Sequence, residues 1–257
     1  MDAGGGVMTF AVLGDFGEAI SFIFTSRQSR GGAEVGGAHN LSLLWTHLEL
    51  TAASMGLAIL IALPVGLVLG HLGRWSFLAI STSNVGRAVP SIALIAFFVA
   101  FFPQTPEFLS VTLALALLAI PPILTNAYVA IRQVDPETID AARGMGLSGA
   151  QVLRQVELPL GLPLIFGGIK TSTVNVIATA TIAPLAGVVT LGDPLVSYAV
   201  YGREGQIGVS IIVACLAIAA EVGLSAVQRA VTPKGIQPER SSRARFGVTK
   251  RRIQTAP

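Results

Sequence analysis

A chain of 257 residues in which 52% are apolar and only 12% charged carries too little charge for a soluble domain of its size, where about a quarter is usual. The formal net charge of +3 is unevenly placed: Leu50 to Leu72 and Phe108 to Ile131 are almost free of ionisable groups, whereas Arg and Lys crowd the stretch after Val227. Bilayer cores need runs of about 18 or more apolar residues, so composition excludes an ordinary soluble domain and predicts an all-α polytopic membrane protein.

In chain order, Met1 to Phe24 lacks a basic leader and carries Asp15 and Glu18 inside its apolar run. Those features argue against a cleaved signal and against a good spanning helix. An amphipathic helix on the membrane surface is expected, with a span over residues 7–24 as the alternative. Residues 1–43 then form an extracytoplasmic or interfacial segment, residues 44–228 the membrane domain, and residues 229–257 a basic cytoplasmic tail that touches anionic lipid. Nucleic acid is not expected as its partner.

Five spans are predicted: Leu48 to Leu72, Trp75 to Phe102, Phe108 to Ile131, Leu162 to Val189 and Ile207 to Val227. Pro64, Pro90, Pro121, Pro122 and Pro184 fall inside them, which membranes tolerate where neighbouring helices satisfy the freed backbone groups. Gly66 and Gly70 form a GxxxG pattern that suits close helix packing. Basic residues set the orientation. With the C-terminus cytoplasmic, Arg74, Arg132, Arg143, Arg154 and the basic tail lie inside, against Arg27, Arg30 and Arg203 outside. Trp45, Tyr198 and Tyr201 then form an outer aromatic belt, and Trp75 and Tyr128 an inner one.

The segment Gln133 to Pro159 is the longest polar interruption and is expected in the cytoplasm. Asp135-Pro136 is a helix start, a capping carboxylate followed by proline at the first helical position. Glu137 and Asp140 favour the positive end of the helix dipole. This helix should end near Gly146. Ser148 and Gln151 have capping-box spacing for a second short helix that stops before Pro159. Two short helices joined by a tight elbow can carry force between a soluble motor and the spans.

In span four, Thr171, Asn175 and Thr179 recur every four residues and share a helix face. They read either as interhelical glue or as the wall of a polar path. Of the charges in or near the spans, Glu49 and Lys170 are close enough to a boundary to snorkel, whereas Arg87 and Glu221 could pair with each other or contact a second subunit. Cys215 allows no intrachain disulfide, and His39, His47 and His71 lack metal-ligand spacing, so neither metal nor cofactor is expected in this chain.

Asp140-Ala141-Ala142, Gly146 and Val156-Glu157-Leu158-Pro159 closely resemble the cytoplasmic "EAA" loop of ABC importer permeases, with Asp140 one methylene shorter than the family's usual Glu. The resemblance implies that this loop docks into a groove on an ATPase subunit. Asp135, Asp140, Ala141, Ala142, Arg143, Gly146, Leu158 and Pro159 would be the coupling residues. Asn84, Pro90-Ser91-Ile92-Ala93-Leu94, Ile123-Leu124-Thr125-Asn126, Gly168-Ile169-Lys170-Thr171 and Leu191-Gly192-Asp193 look like the osmoprotectant subgroup, which imports glycine betaine, carnitine or choline. Arg87-Ala88 departs from that subgroup's usual Gln-Thr. The path would be lined by Asn84, Pro90, Ser91, Thr171, Asn175 and Thr179.

The resemblance further implies a second permease, identical or homologous, an extracytoplasmic solute-binding protein, ATP and Mg held by the ATPase subunit, and a bacterial-type inner membrane. An amino acid or polyamine is the alternative cargo; an ion-coupled secondary transporter is the alternative machine. Leu147-Ser148-Gly149-Ala150-Gln151 mimics an ATPase signature, but the chain has no phosphate-binding loop, so it should not be an enzyme.

Overall fold

The computed structural model describes residues 15–29, 32–73 and 89–233. Helix α1 covers residues 15–24 and leads into a two-stranded antiparallel hairpin, β1 (Arg27–Gln28) with β2 (Glu34–Val35). The long helices are α2 (Gly37–Leu72), α4 (Glu107–Arg132), α7 (Leu158–Thr179) and α9 (Tyr198–Val231), with α3 (Ser91–Phe101) between α2 and α4. The polar interruption folds as α5 (Pro136–Gly144) and α6 (Gly149–Val152), and α8 (Asp193–Val196) precedes α9. Among the described residues four helical stretches are long and apolar enough to cross a membrane: Gly37–Leu72, Glu107–Arg132, Gly149–Ala186 and Tyr198–Val231.

Helix α4 is the hub, with half of its apolar window buried against 11% for α9. Glycines decide how its neighbours approach. A Cβ on Gly66 would stand 2.7 Å from Ala127 Cβ and Leu124 O, and one on Gly70 would stand 2.8 Å from Ile131 Cβ. The predicted GxxxG is thus the contact between α2 and α4, which run parallel because 66 pairs with 124–128 and 70 with 128–131. Helix α7 crosses α4 antiparallel: Gly161 faces Ala130, Gly168 faces Pro122 and Asn126, and Ser172 Oγ donates to Ala119 O at 2.9 Å.

Several expected boundaries move. Span one begins at Gly37 rather than Leu48, because Asn40 donates to Phe22 O and Leu43 packs in a cluster with Phe22 and Val35. A single helix over Trp75 to Phe102 is corrected: residues 74–88 lie outside the described set, and α3 starts only after Pro90. Proline disfavours helix at the residue before it and lacks the N–H a continuing helix would use. Eleven residues rise about 16 Å, short of the roughly 30 Å hydrocarbon core. Asn84, Arg87 and Trp75 also lie outside the described residues.

The second elbow helix does not stop before Pro159. It runs through a π turn, Leu153–Glu157, straight into α7. The wider turn lets Leu158 N–H reach Leu153 O, and the next residue, Pro159, has no N–H to place. Span four ends in a 3₁₀ turn, Ala180–Ala186, that includes Pro184.

At the end of the helices opposite the elbow, α1 is docked on α9 through one face, while Phe16, Ile20 and Phe24 stay exposed. Ala19 and Phe22 are fully buried, Phe22 lies beside Gly205 and Gly208 of α9, and Asp15 pairs with Arg203 at 3.2 Å. Two expected belt tyrosines are interior. Tyr128 is buried on α4; Tyr201 donates to Asp193 Oδ2 at 2.7 Å and meets His39 Nε2 at 3.0 Å. Trp45 and Tyr198 are exposed, as a belt requires.

Candidate functional site

The elbow is built by local chemistry the sequence announces. Asp135 Oδ1 accepts the Glu137 N–H at 2.9 Å and Pro136 opens α5. Gly146 has φ 86°, a left-handed conformation that costs other L-residues roughly 1–2 kcal/mol. Ser148 N–H donates to Gln151 Oε1 at 2.8 Å and starts α6.

On this frame Asp135, Asp140, Ala141, Arg143 and Gly146 are exposed, whereas Ala142 is buried within the chain. Leu158 and Pro159 are half-buried at the start of α7. The exposed face therefore runs from Asp140 and Ala141 past Arg143 to Met145, which is 75% exposed. The sequence, in which Ala141-Ala142-Arg143-Gly144-Met145-Gly146 also fits the subgroup pattern, assigns Met145 no role of its own. Its signal was an apolar residue between two glycines at the tip of a polar loop.

The elbow is also anchored from below. Glu157, only 3% exposed, takes a 2.6 Å hydrogen bond from His71 Nδ1 at the end of α2.

The polar stripe of span four divides by face. Ser172 is interior glue to α4. Thr171 and Asn175 are exposed, and Thr179 is half-buried. Thr171 Oγ1 donates back to Gly167 O at 3.0 Å, but among the described residues no protein group engages the Asn175 amide. An amide in mid-span needs hydrogen-bond partners, which lipid tails do not supply. Asn175→Leu should lower solute flux at least tenfold while leaving assembly intact, measured as uptake into vesicles alongside copurification. Unchanged uptake would remove Asn175 from the path.

Pro90 and Ser91 sit at the start of α3, exposed and half-buried respectively. Ile92, Ile95 and Ala96 of that helix line an apolar cavity of about 290 Å³ with Ile182, Leu185 and Ala186.

Among the charges in or near the spans, Lys170 has partners within the chain. It lies 3.6 Å from Glu221 and donates to Ser225 Oγ at 3.3 Å, tying α7 to α9. Glu221 therefore has a partner other than Arg87. Glu49 is exposed on α2.

The family described as "Binding-protein-dependent transport system inner membrane component" matches residues 58–235. The glycine betaine/carnitine/choline transport system permease protein OpuCB of Bacillus subtilis is 34% identical over 194 residues, covering 74% of this chain and 88% of that protein. The choline transport system permease protein OpuBB of the same organism is 32% identical over 207 residues, 79% of this chain and 94% of its own length. In structure, the MetNI methionine ABC transporter, crystallised in inward-facing conformations, superposes with a TM-score of 0.66 at 22% identity. That match covers 76% of this chain and 96% of the other, and it speaks to the fold.

Proposed function

Because the chain belongs to the family of binding-protein-dependent transport system inner membrane components, we propose that it is the permease of an ATP-driven importer for a small quaternary-ammonium osmoprotectant. It is a multi-pass inner-membrane transport component and not an enzyme. The observation that carries the reading is the capped, polar elbow between two apolar helices, fused through a π turn to one of them. A separate ATPase subunit, holding ATP and Mg, grips that elbow through Asp135, Asp140, Ala141, Arg143 and Gly146.

The C-terminus and the elbow face the cytoplasm in this reading. The exposed Asn175 face of α7 meets a second permease across the path, and an extracytoplasmic binding protein delivers the solute. The names of OpuCB and OpuBB favour glycine betaine, carnitine or choline over an amino acid or polyamine. A secondary transporter working alone is not favoured.

Reconstitution tests this. The chain with its ATPase subunit and binding protein should take up labelled glycine betaine or choline only with ATP, and unlabelled methionine should not compete. Flux from this chain alone would overturn the machine; competition by methionine would overturn the cargo.

A further inference from the structure

The elbow ends of two spanning helices meet at one polar contact that the function described so far leaves unused. His71 is the penultimate residue of α2, and its Nδ1 lies 2.6 Å from Glu157 Oε2. The two side chains are 18% and 4% exposed. At that spacing the ring N–H donates and the carboxylate accepts, a charge-assisted bond of the strong kind. A Cβ on Gly149 would stand 3.3 Å from His71 Nε2, so the imidazole is seated between α6 and the last residue of the π turn. Single π turns inside helices recur at functional positions.

What the pair joins gives it meaning. Helix α2 is locked to α4 through Gly66 and Gly70, and α4 continues through Gln133 and Asp135 into α5. Helix α7 is locked to α4 at Gly161 and begins one residue after Glu157. The elbow therefore has two covalent roots, α4 and α7. His71–Glu157 adds a third, non-covalent root reaching α2, which is otherwise tied to α7 at the far end of the helices, where His47 Nε2 meets Ile177 O at 3.1 Å.

We infer that His71 is a positioning residue: by holding Glu157 it makes α2 move with the elbow, so that displacement of the elbow turns α2, α4 and α7 as one wedge. Without the bond, the elbow and α7 swing while α2 lags, and ATP is spent without switching access. The inference rests on the reading that an ATPase subunit drives the elbow.

The test uses the complete transporter in liposomes and reads glycine betaine moved per ATP hydrolysed, which a merely structural contact would not alter. His71→Leu should keep the ATPase subunit bound and hydrolysing while solute per ATP falls at least tenfold. His71→Asn, whose amide N–H substitutes for Nδ1–H, should recover most of the wild-type ratio. His71→Ala/Glu157→Ala strands no charge and should be uncoupled like His71→Leu. A normal ratio in either leucine or double-alanine complexes overturns the inference, as does loss of assembly in both, or a parallel fall in uptake and hydrolysis.

A wild-type complex that hydrolyses ATP without moving glycine betaine refutes the cargo alone. Spin labels at exposed Ala150 and Trp45 of one chain then decide: their distance should stay fixed through the nucleotide cycle in the wild type and change in His71→Leu, and a distance that changes in the wild type or stays fixed in His71→Leu overturns the inference. A wild type that never binds an ATPase subunit refutes the underlying reading instead.

Discussion

Gly168→Leu should unfold the purified chain well below the temperature at which Gly167→Leu unfolds. The two glycines are neighbours in α7 and the substitutions are chemically identical, so helix propensity and added hydrophobicity cancel in the comparison. They differ in what a side chain meets. At Gly168 even a Cβ would stand 2.7 Å from Asn126 Cβ and 2.8 Å from Pro122 O, whereas at Gly167 nothing lies within 4 Å.

Overpacking typically costs about 1–3 kcal/mol when flexible side chains can yield. Here the obstacles are a backbone carbonyl and a Cβ, so relief requires α4 and α7 to part. Parting them exposes Ile165 and Ile169 and stretches the Ser172-to-Ala119 bond. A loss of about 3 kcal/mol or more lowers the midpoint by roughly 6–12 °C for a domain of this size. Helical circular dichroism in detergent would measure it, and equal midpoints for the two variants would show that α7 does not cross α4 at Gly168.

The contact at Gly168 also marks what the sequence can and cannot express. Its neighbourhood, Gly168-Ile169-Lys170-Thr171, stands out as a motif, but nothing in one dimension says that the glycine faces Pro122 or that Lys170 reaches Glu221. Caps are different, because both partners lie within a few residues. Asp135 with Glu137 and Ser148 with Gln151 could be read directly, and both form.

Hydropathy found α4 almost to the residue, since its ends coincide with polar Glu107 and Arg132. It misjudged α2, whose first turns are held by Asn40 donating to Phe22 O at 3.2 Å rather than by lipid. Periodicity grouped Thr171, Asn175 and Thr179, and the fold leaves the first two on an outward face. The π turn was illegible for another reason: Pro159 reads as a stop, and only the wider turn ahead of it lets the helix continue. His71–Glu157 was hidden because its partners are 86 residues apart.

Met145→Asp should largely abolish solute uptake by releasing the ATPase subunit. A single exposed apolar residue is ordinary on protein surfaces, so exposure alone would not single it out. Its setting does. Met145 caps the end of α5 between Gly144 and Gly146, it is 75% exposed, and Asp140, Ala141 and Arg143, also exposed, leave it the largest exposed apolar group of the elbow's tip. An unbranched thioether adapts to an irregular groove, and the flanking glycines leave room for a partner's wall to close around it.

Burying such a side chain at an interface is worth about 1.5–3 kcal/mol. Aspartate forfeits that gain and brings a carboxylate that must lose water on docking. With tenfold in affinity per 1.4 kcal/mol, retention of the ATPase subunit on the purified permease should fall by about tenfold at least, and uptake with it. Glu137→Gln, exposed on the same elbow, should change retention less than threefold. If Met145→Asp holds the ATPase subunit as well as the wild type does, the tip of the elbow is not buried in that partner. The grip would then have to come from the polar residues Asp140 and Arg143, whose contribution salt should weaken and Met145's should not.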